Sequence, residues 1–200
     1  SQLRGTAKEH LLNEINELIL ETTFTYVRQK KMLGLGHAIL TGEPLIGDEP
    51  FAVILADDLC DSNDQGVLAQ MIEIFKKFQC SIVAIEEVPQ NQTDKYGIIS
   101  GEPVNNSINT FQVSEMIEKP NIEDAPSNMA IIGRYILTPD IFKILKKIKP
   151  DKNGEIQITD ALNVQAKKGR VLAYKFDGSR FDCGSIDGFL KATNHFAKKL

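Results

Sequence analysis

Apolar positions recur along the chain with two periods, and the switches between them outline a fold. Leu11, Leu12, Ile15, Leu18 and Ile19 share one face at helical spacing, predicting a helix over residues 8–20. "FTYVRQ" (24–29) predicts a strand, and "LGLGHAILTG" (33–42) a glycine turn feeding a short helix. "FAVILAD" (51–57) is an apolar strand that ends abruptly in a charge. Val67, Leu68, Met71, Ile72, Phe75 and Phe78 return to helical spacing before the strand "SIVAIEEV" (81–88). Strand, helix, strand with connections of this length is the βαβ pattern, which favours a parallel sheet with helices on both faces.

The middle of the chain departs from that pattern. "YGIIS" and "FQVSEMIEK" are strand-like and separated by the turn-rich "GEPVNNSIN", which predicts an antiparallel excursion from a mostly parallel core. "MAIIGRYIL" resumes the core, followed by a helix from Pro139 to about Lys149. Another helix is expected to begin near Thr159 or Asp160 and to end at Gly169. "VLAYKFDG" predicts a strand, and Ile186 to Leu200 a last helix. No repeat, low-complexity tract or linker interrupts residues 1–200, which read as a single α/β domain. The chain opens on Ser1 with a helix already under way, so part of a larger protein is expected.

Composition narrows the function classes. The formal net charge is −4 with both signs interspersed, so there is no basic stripe of the kind nucleic-acid binding requires. No apolar stretch is long enough to cross a bilayer, and no membrane partner is expected. The three cysteines, Cys60, Cys80 and Cys183, lack metal-ligand spacing and read as reduced residues of a cytoplasmic protein.

Candidate chemistry gathers at strand ends, because ligands of open α/β sheets bind outside the carboxyl ends of their strands. Asp57 and Asp58 are adjacent, so on an extended chain they point to opposite faces and one of them would enter a site. Asp182 in "RFDCGS" follows another strand-like run. Two such carboxylates, converging at the edge of one sheet, could hold a hard cation such as Mg²⁺; two unrelated solvated aspartates are the alternative. In "MIEKP", Glu118 could accept hydrogen bonds from sugar hydroxyls while Lys119 offers a charge to phosphate, or the two could form a surface ion pair. Gly34 and Gly36 could let a ligand approach the backbone or make a structural turn, and His37 beside them could pack, cap or catalyse. No arrangement for a Ser–His or Cys–His nucleophile is visible.

In order, "VRQxxxxGLGHAI", "AVILAD", "YGII", "EKPxxxxAPSNMAIIGRYIL", "GEIQITDAL" and "DCGS" resemble the bacterial UTP–glucose-1-phosphate uridylyltransferases, from about Phe24 to the C-terminus. The resemblance implies a sugar-nucleotidyltransferase fold, a Rossmann-like α/β/α sandwich. It implies transfer of a uridylyl group from UTP to glucose 1-phosphate, with Mg²⁺ as cofactor, by a homo-oligomeric enzyme. Asp57 and Asp182 match the metal aspartates, Gln29 and Gly34 match uracil contacts, and Gly97 and Glu118 match glucose-hydroxyl contacts. Lys119 matches a lysine facing the sugar phosphate, and Asn128 through Gly133 match the lining of the sugar side.

The chain also departs from the family pattern. Ala56 stands where proline is usual, and Leu33 and Ile186 stand where lysine is frequent. The family's N-terminal strand and its "GxGTRxxPxxKxxPK" loop are not among these residues, so this span alone is expected to be inactive. A thymidylyl- or guanylyltransferase, a non-catalytic sugar-nucleotide-binding paralogue and a metal-dependent glycosyltransferase are the competing readings. The last is disfavoured because adjacent aspartates replace Asp-x-Asp.

Overall fold

The continuous apolar run at residues 82–85 lies at the centre of the structure, buried on both faces. The computed structural model describes residues 5–6 and 9–199. Its first half comprises α1 (Glu9–Glu21), α2 (Leu35–Thr41), α3 (Glu43–Ile46), β1 (Phe51–Ile54), β2 (Asp58–Asp61), α4 (Val67–Phe78) and β3 (Ser81–Glu87). The hairpin β4 (Gly97–Pro103) and β5 (Thr110–Glu118) follows, then β6 (Met129–Leu137), α5 (Asp140–Leu145) and α6 (Ile158–Ala166). β7 (Val171–Lys175), β8 (Ser179–Asp182) and α7 (Ile186–Ala197) complete the chain. Among the described residues no helix is long and apolar enough to cross a membrane.

Six strands form one sheet in the order β1-β6-β3-β7-β5-β4, and β2 pairs with β8 in a separate two-stranded ribbon. The alternation within β3 explains the layers. Ile82 and Ala84 face the cluster built with Val67 and Met71 of α4, while Val83 and Ile85 face that of α2, α5 and α6. Each such Val, Ile or Met side chain stabilises the fold by about 1.5–3 kcal/mol on burial.

The expectation of a mostly parallel sheet is corrected by the pairings. β1 and β3 run in the same direction, as a βαβ unit requires, but β6 inserts between them and is antiparallel to both. The pairing of β3 with β7 is parallel; those of β5 with β7 and of β4 with β5 are antiparallel. The hairpin read from "YGIIS" and "FQVSEMIEK" is present, and it returns the chain to the sheet in the reverse sense.

Other readings shift locally. "FTYVRQ" joins no ladder: Phe24, Tyr26 and Val27 are exposed, and β-propensity without a paired neighbour makes no strand. On α1, Ile15 and Ile19 of the predicted apolar face are exposed. Lys8 and Leu200, at the outer ends of the two terminal helix readings, lie outside the described residues, as do the side chains of Leu11 and Leu18. The helix expected from Pro139 to Lys149 stops at Leu145.

Candidate active site

One end of the sheet opens into a trench. Its central cleft, about 350 Å³, is lined by residues that include Asp57, Asp58, Gly97, Glu118, Lys119 and Asp182. A second cleft of about 500 Å³ shares Tyr96, Arg180 and Asp182 with it. A third, of about 570 Å³, shares Glu118 and Lys119 and extends over Lys152 and Asn153.

The aspartate wall is built by the ribbon. After β1 the chain turns sharply, with Asp58 N–H donating to the Leu55 carbonyl at 3.3 Å. Asp58 opens β2 directly opposite Asp182 of β8. Cys183 N–H donates to the Asp57 carbonyl at 2.7 Å, which fixes the two turns together. A methyl placed on Gly184 would lie 3.1 Å from Asp182 Oδ1 and 3.4 Å from Asp57 Oδ2, so the two carboxylates flank one point. Convergence of Asp57 and Asp182 thus comes from pairing β2 with β8, not from the edge of one sheet as the sequence suggested.

Asp58 does different work from its neighbour. It is buried, accepts from Gly133 N–H at 2.8 Å and pairs with the Arg180 guanidinium. A side chain at Gly133 would come within 2.5 Å of Asp58 Oδ2, so the close approach of β6 requires glycine. Arg134 braces the same turn, donating to the carbonyls of Leu55 at 3.1 Å, Gly133 at 3.0 Å and Asp58 at 2.5 Å. Asp57 remains exposed. Burial works against the charge of Arg180, but hydrogen bonds to Asp58 and Tyr96 outweigh it and raise its pKa further. Burial also raises the pKa of Glu86, against the lowering influence of Arg180.

The glutamate wall is more local. Gly97 opens β4 opposite Glu118 at the end of β5. A Cβ on Gly97 would meet Thr159 Cγ2 at 2.9 Å and Glu118 Oε2 at 3.2 Å, so only glycine lets the strand sit against the carboxylate. Thr159 Oγ1 donates to Glu118 Oε2 at 3.1 Å. Burial raises the Glu118 pKa, and the Thr159 hydrogen bond and Lys119 partly offset it. Glu118 therefore belongs to the cleft wall and not to a surface ion pair. Lys119 is exposed with φ of +43°, and its N–H donates to the Tyr96 carbonyl at 3.0 Å. Left-handed backbone at a non-glycine costs on the order of 1–3 kcal/mol, and such strain concentrates at functional sites.

The remaining candidates sit further out. The Gln29 side-chain amide nitrogen donates to the Gly34 carbonyl at 3.2 Å and lies 2.8 Å from His37 Nδ1. The three residues form one corner beside Leu35 and Glu155, which line the central cleft while Gln29 and Gly34 do not. Asn128 is exposed just before β6 and lies outside the cleft lining, which that strand supplies through Ile131, Ile132 and Gly133. Its carbonyl instead accepts from Val88 N–H at 3.0 Å.

Sequence reasoning missed Arg180 and the part played by Thr159. The two-residue period of "SRFD" puts Arg180 on the same face as Asp182, a signal that was available. The expectation that Thr159 or Asp160 opens this helix shifts: Gln157 is the N-cap residue, and the Thr159 hydroxyl turns to Glu118.

Among the described residues no group of three or more His, Cys, Asp or Glu could hold a metal ion. Two carboxylates are nonetheless what Mg²⁺ takes from a protein when waters and substrate phosphates fill its other positions. Oxygen donors, with neither thiolate nor imidazole at the point where Asp57 and Asp182 meet, fit a hard cation.

The nucleotidyl transferase family model matches residues 3–199. A UTP–glucose-1-phosphate uridylyltransferase of Pseudomonas aeruginosa is 61% identical over 200 residues, spanning 100% of this chain and 71% of that protein. A crystal structure of apo UDP-glucose pyrophosphorylase superposes with a TM-score of 0.94 at 59% identity, covering 99% of this chain and 72% of that one. The structure of UDP-glucose pyrophosphorylase complexed with UDP-glucose gives 0.92 at 59% identity, covering 96% and 73%. The chain belongs to the nucleotidyl transferase family, among the UTP–glucose-1-phosphate uridylyltransferases.

Proposed function

We propose that this trench transfers a uridylyl group from UTP to glucose 1-phosphate, giving UDP-glucose and pyrophosphate. The carrying observation is the convergence of Asp57 and Asp182 on one point in the cleft that also holds Glu118 and Lys119. An oxygen of the sugar phosphate attacks the α-phosphorus in line, that new P–O bond forms, and the bond to pyrophosphate breaks. Such a reaction needs positioning and charge neutralisation more than a protein nucleophile.

The residues divide the work. Glu118 accepts hydrogen bonds from glucose hydroxyls, with Gly97 giving the sugar room against the strand. Lys119, held at the cleft rim by its strained backbone, sets its ammonium against the sugar phosphate. Asp57 and Asp182 are the carboxylates that would hold Mg²⁺. Bound there, such an ion would supply charge neutralisation to the phosphates. The corner of Gln29 and Gly34 adjoins the cleft through Leu35 and is assigned to the uracil ring.

The test is to give the full-length protein glucose 1-phosphate and Mg²⁺ with UTP, dTTP, GTP or ATP in turn, following products by ³¹P NMR. The corresponding sugar nucleotide and pyrophosphate should form fastest from UTP. Equal rates from UTP and dTTP would favour a thymidylyltransferase, and no product from any nucleotide a non-catalytic paralogue.

A further inference from the structure

Arg180 carries an arrangement to which the proposed reaction assigns no part. Its side chain is 7% exposed, yet it borders both the central cleft and the second cleft. Nε is tied to the Asp58 carboxylate, so the base of the guanidinium is anchored to a buried group. The two forward nitrogens then point to different walls. Nη2 lies 3.4 Å from Asp182 Oδ2, while Nη1 lies 3.4 Å from the Tyr96 hydroxyl and 3.6 Å from Glu86 Oε2. The Tyr96 hydroxyl closes the triangle, donating to the same Asp182 oxygen at 3.4 Å. The guanidinium also lies over the Tyr96 ring, 5.1 Å from its centroid.

We propose that Arg180 is a positioning residue: anchored on Asp58 and working with the Tyr96 hydroxyl on the same carboxylate oxygen, it sets Asp182 for the divalent cation. The proposal rests on the reading of Asp57 and Asp182 as the cation's ligands. A planar fork with five donors can hold three carboxylates and a phenol in fixed directions, which a lysine ammonium on a flexible stem cannot. Tyr96 is the residue before Gly97, and its carbonyl accepts the Lys119 N–H. One guanidinium therefore sits between the carboxylate that meets the cation and the backbone that shapes the sugar side. Outer groups that orient ligating carboxylates commonly change metal affinity about 10–100-fold when altered.

The test is Mn²⁺ binding to the full-length protein with UTP present, read by electron paramagnetic resonance, with UDP-glucose synthesis measured in parallel. Arg180→Lys keeps a buried cation beside Asp58 but loses the fork. It should retain the wild-type circular dichroism, bind Mn²⁺ about 10–100-fold more weakly, and leave the KM for glucose 1-phosphate within twofold. Tyr96→Phe removes one hydroxyl and keeps the ring; it should weaken Mn²⁺ in the same direction by a smaller factor. The double variant should be no weaker than Arg180→Lys alone, because both changes act through the same Asp182 oxygen. Mn²⁺ affinity within twofold of wild type in Arg180→Lys, with UDP-glucose still formed, would overturn the proposal. Should that variant not fold, unchanged Mn²⁺ affinity in Tyr96→Phe would do the same. No Mn²⁺ binding by an active wild-type protein would overturn the ligand assignment and this proposal with it.

Discussion

On the aspartate wall, Asp58, Glu86 and Asp182 crowd around Arg180, whereas on the glutamate wall Glu118 is half-buried with a threonine hydroxyl beside it. The first wall joins residues more than a hundred positions apart and holds charge with charge. The second is a hairpin end, Gly97 against Glu118, where a carboxylate is held by burial and a neutral hydrogen bond. The difference is one of partner: the first wall sets carboxylates against a guanidinium, and the second sets one against a neutral hydroxyl. The glutamate wall keeps a carboxyl whose charge is costly until a ligand hydroxyl replaces the lost water.

The largest expected effect breaks the first wall's support. Asp58→Ala leaves Arg180 buried without its main partner, and removing one member of a buried pair costs about 3–5 kcal/mol. Urea unfolding should show that loss; a change below 1 kcal/mol would mean that the pair is not the anchor described. Next, Asp57→Asn or Asp182→Asn in the full-length protein should lower UDP-glucose synthesis more than about 100-fold with little change in unfolding midpoint. Asp57 is exposed, so its amide creates no new strain.

Lys119→Ala should lower kcat about 10–100-fold and change the KM for glucose 1-phosphate less, if its charge is used as phosphate charge develops. The converse split, a raised KM with kcat intact, would reassign the lysine to ground-state binding.

Why these walls differ in legibility follows from range. The end of β5, the turn to Lys119 and the hairpin partner Gly97 are close in sequence, so "YGII" and "MIEKP" could be read as one local unit. The layers were legible too, since β3 shows burial on both faces and α4 a single apolar face. The insertion of β6 between β1 and β3 was not, because hydrophobic period identifies a strand but not its neighbours. The ribbon was hidden for a related reason: β2 and β8 are four residues each, polar at their ends, and reveal their register only when paired. Arg180 carried no assignment from the sequence, although its place two residues before Asp182 puts both on one face. "FTYVRQ" failed the opposite way, its strong propensity meeting no partner strand.

The smallest predicted effect sharpens the contrast through pH. Glu118 has its folded pKa raised by burial, so the stability its neutral form contributes is present below the unfolded value, about 4.3, and is lost as pH rises through the folded one. Glu118→Gln cannot ionise while its oxygen can still accept from Thr159. Its Tm advantage over wild type should therefore grow from pH 4 to pH 8, while its KM for glucose 1-phosphate rises. A Tm difference independent of pH would show that Glu118 ionises in the fold as it does in water.

The most direct measurement of the central claim is anomalous diffraction from crystals of the full-length protein grown with UDP-glucose and Mn²⁺. The account predicts a metal peak between the Asp57 and Asp182 carboxylates, in contact with nucleotide phosphate, with the glucose ring at Glu118. An ordered metal on the nucleotide that approaches neither aspartate, or a sugar ring remote from Glu118, would contradict it.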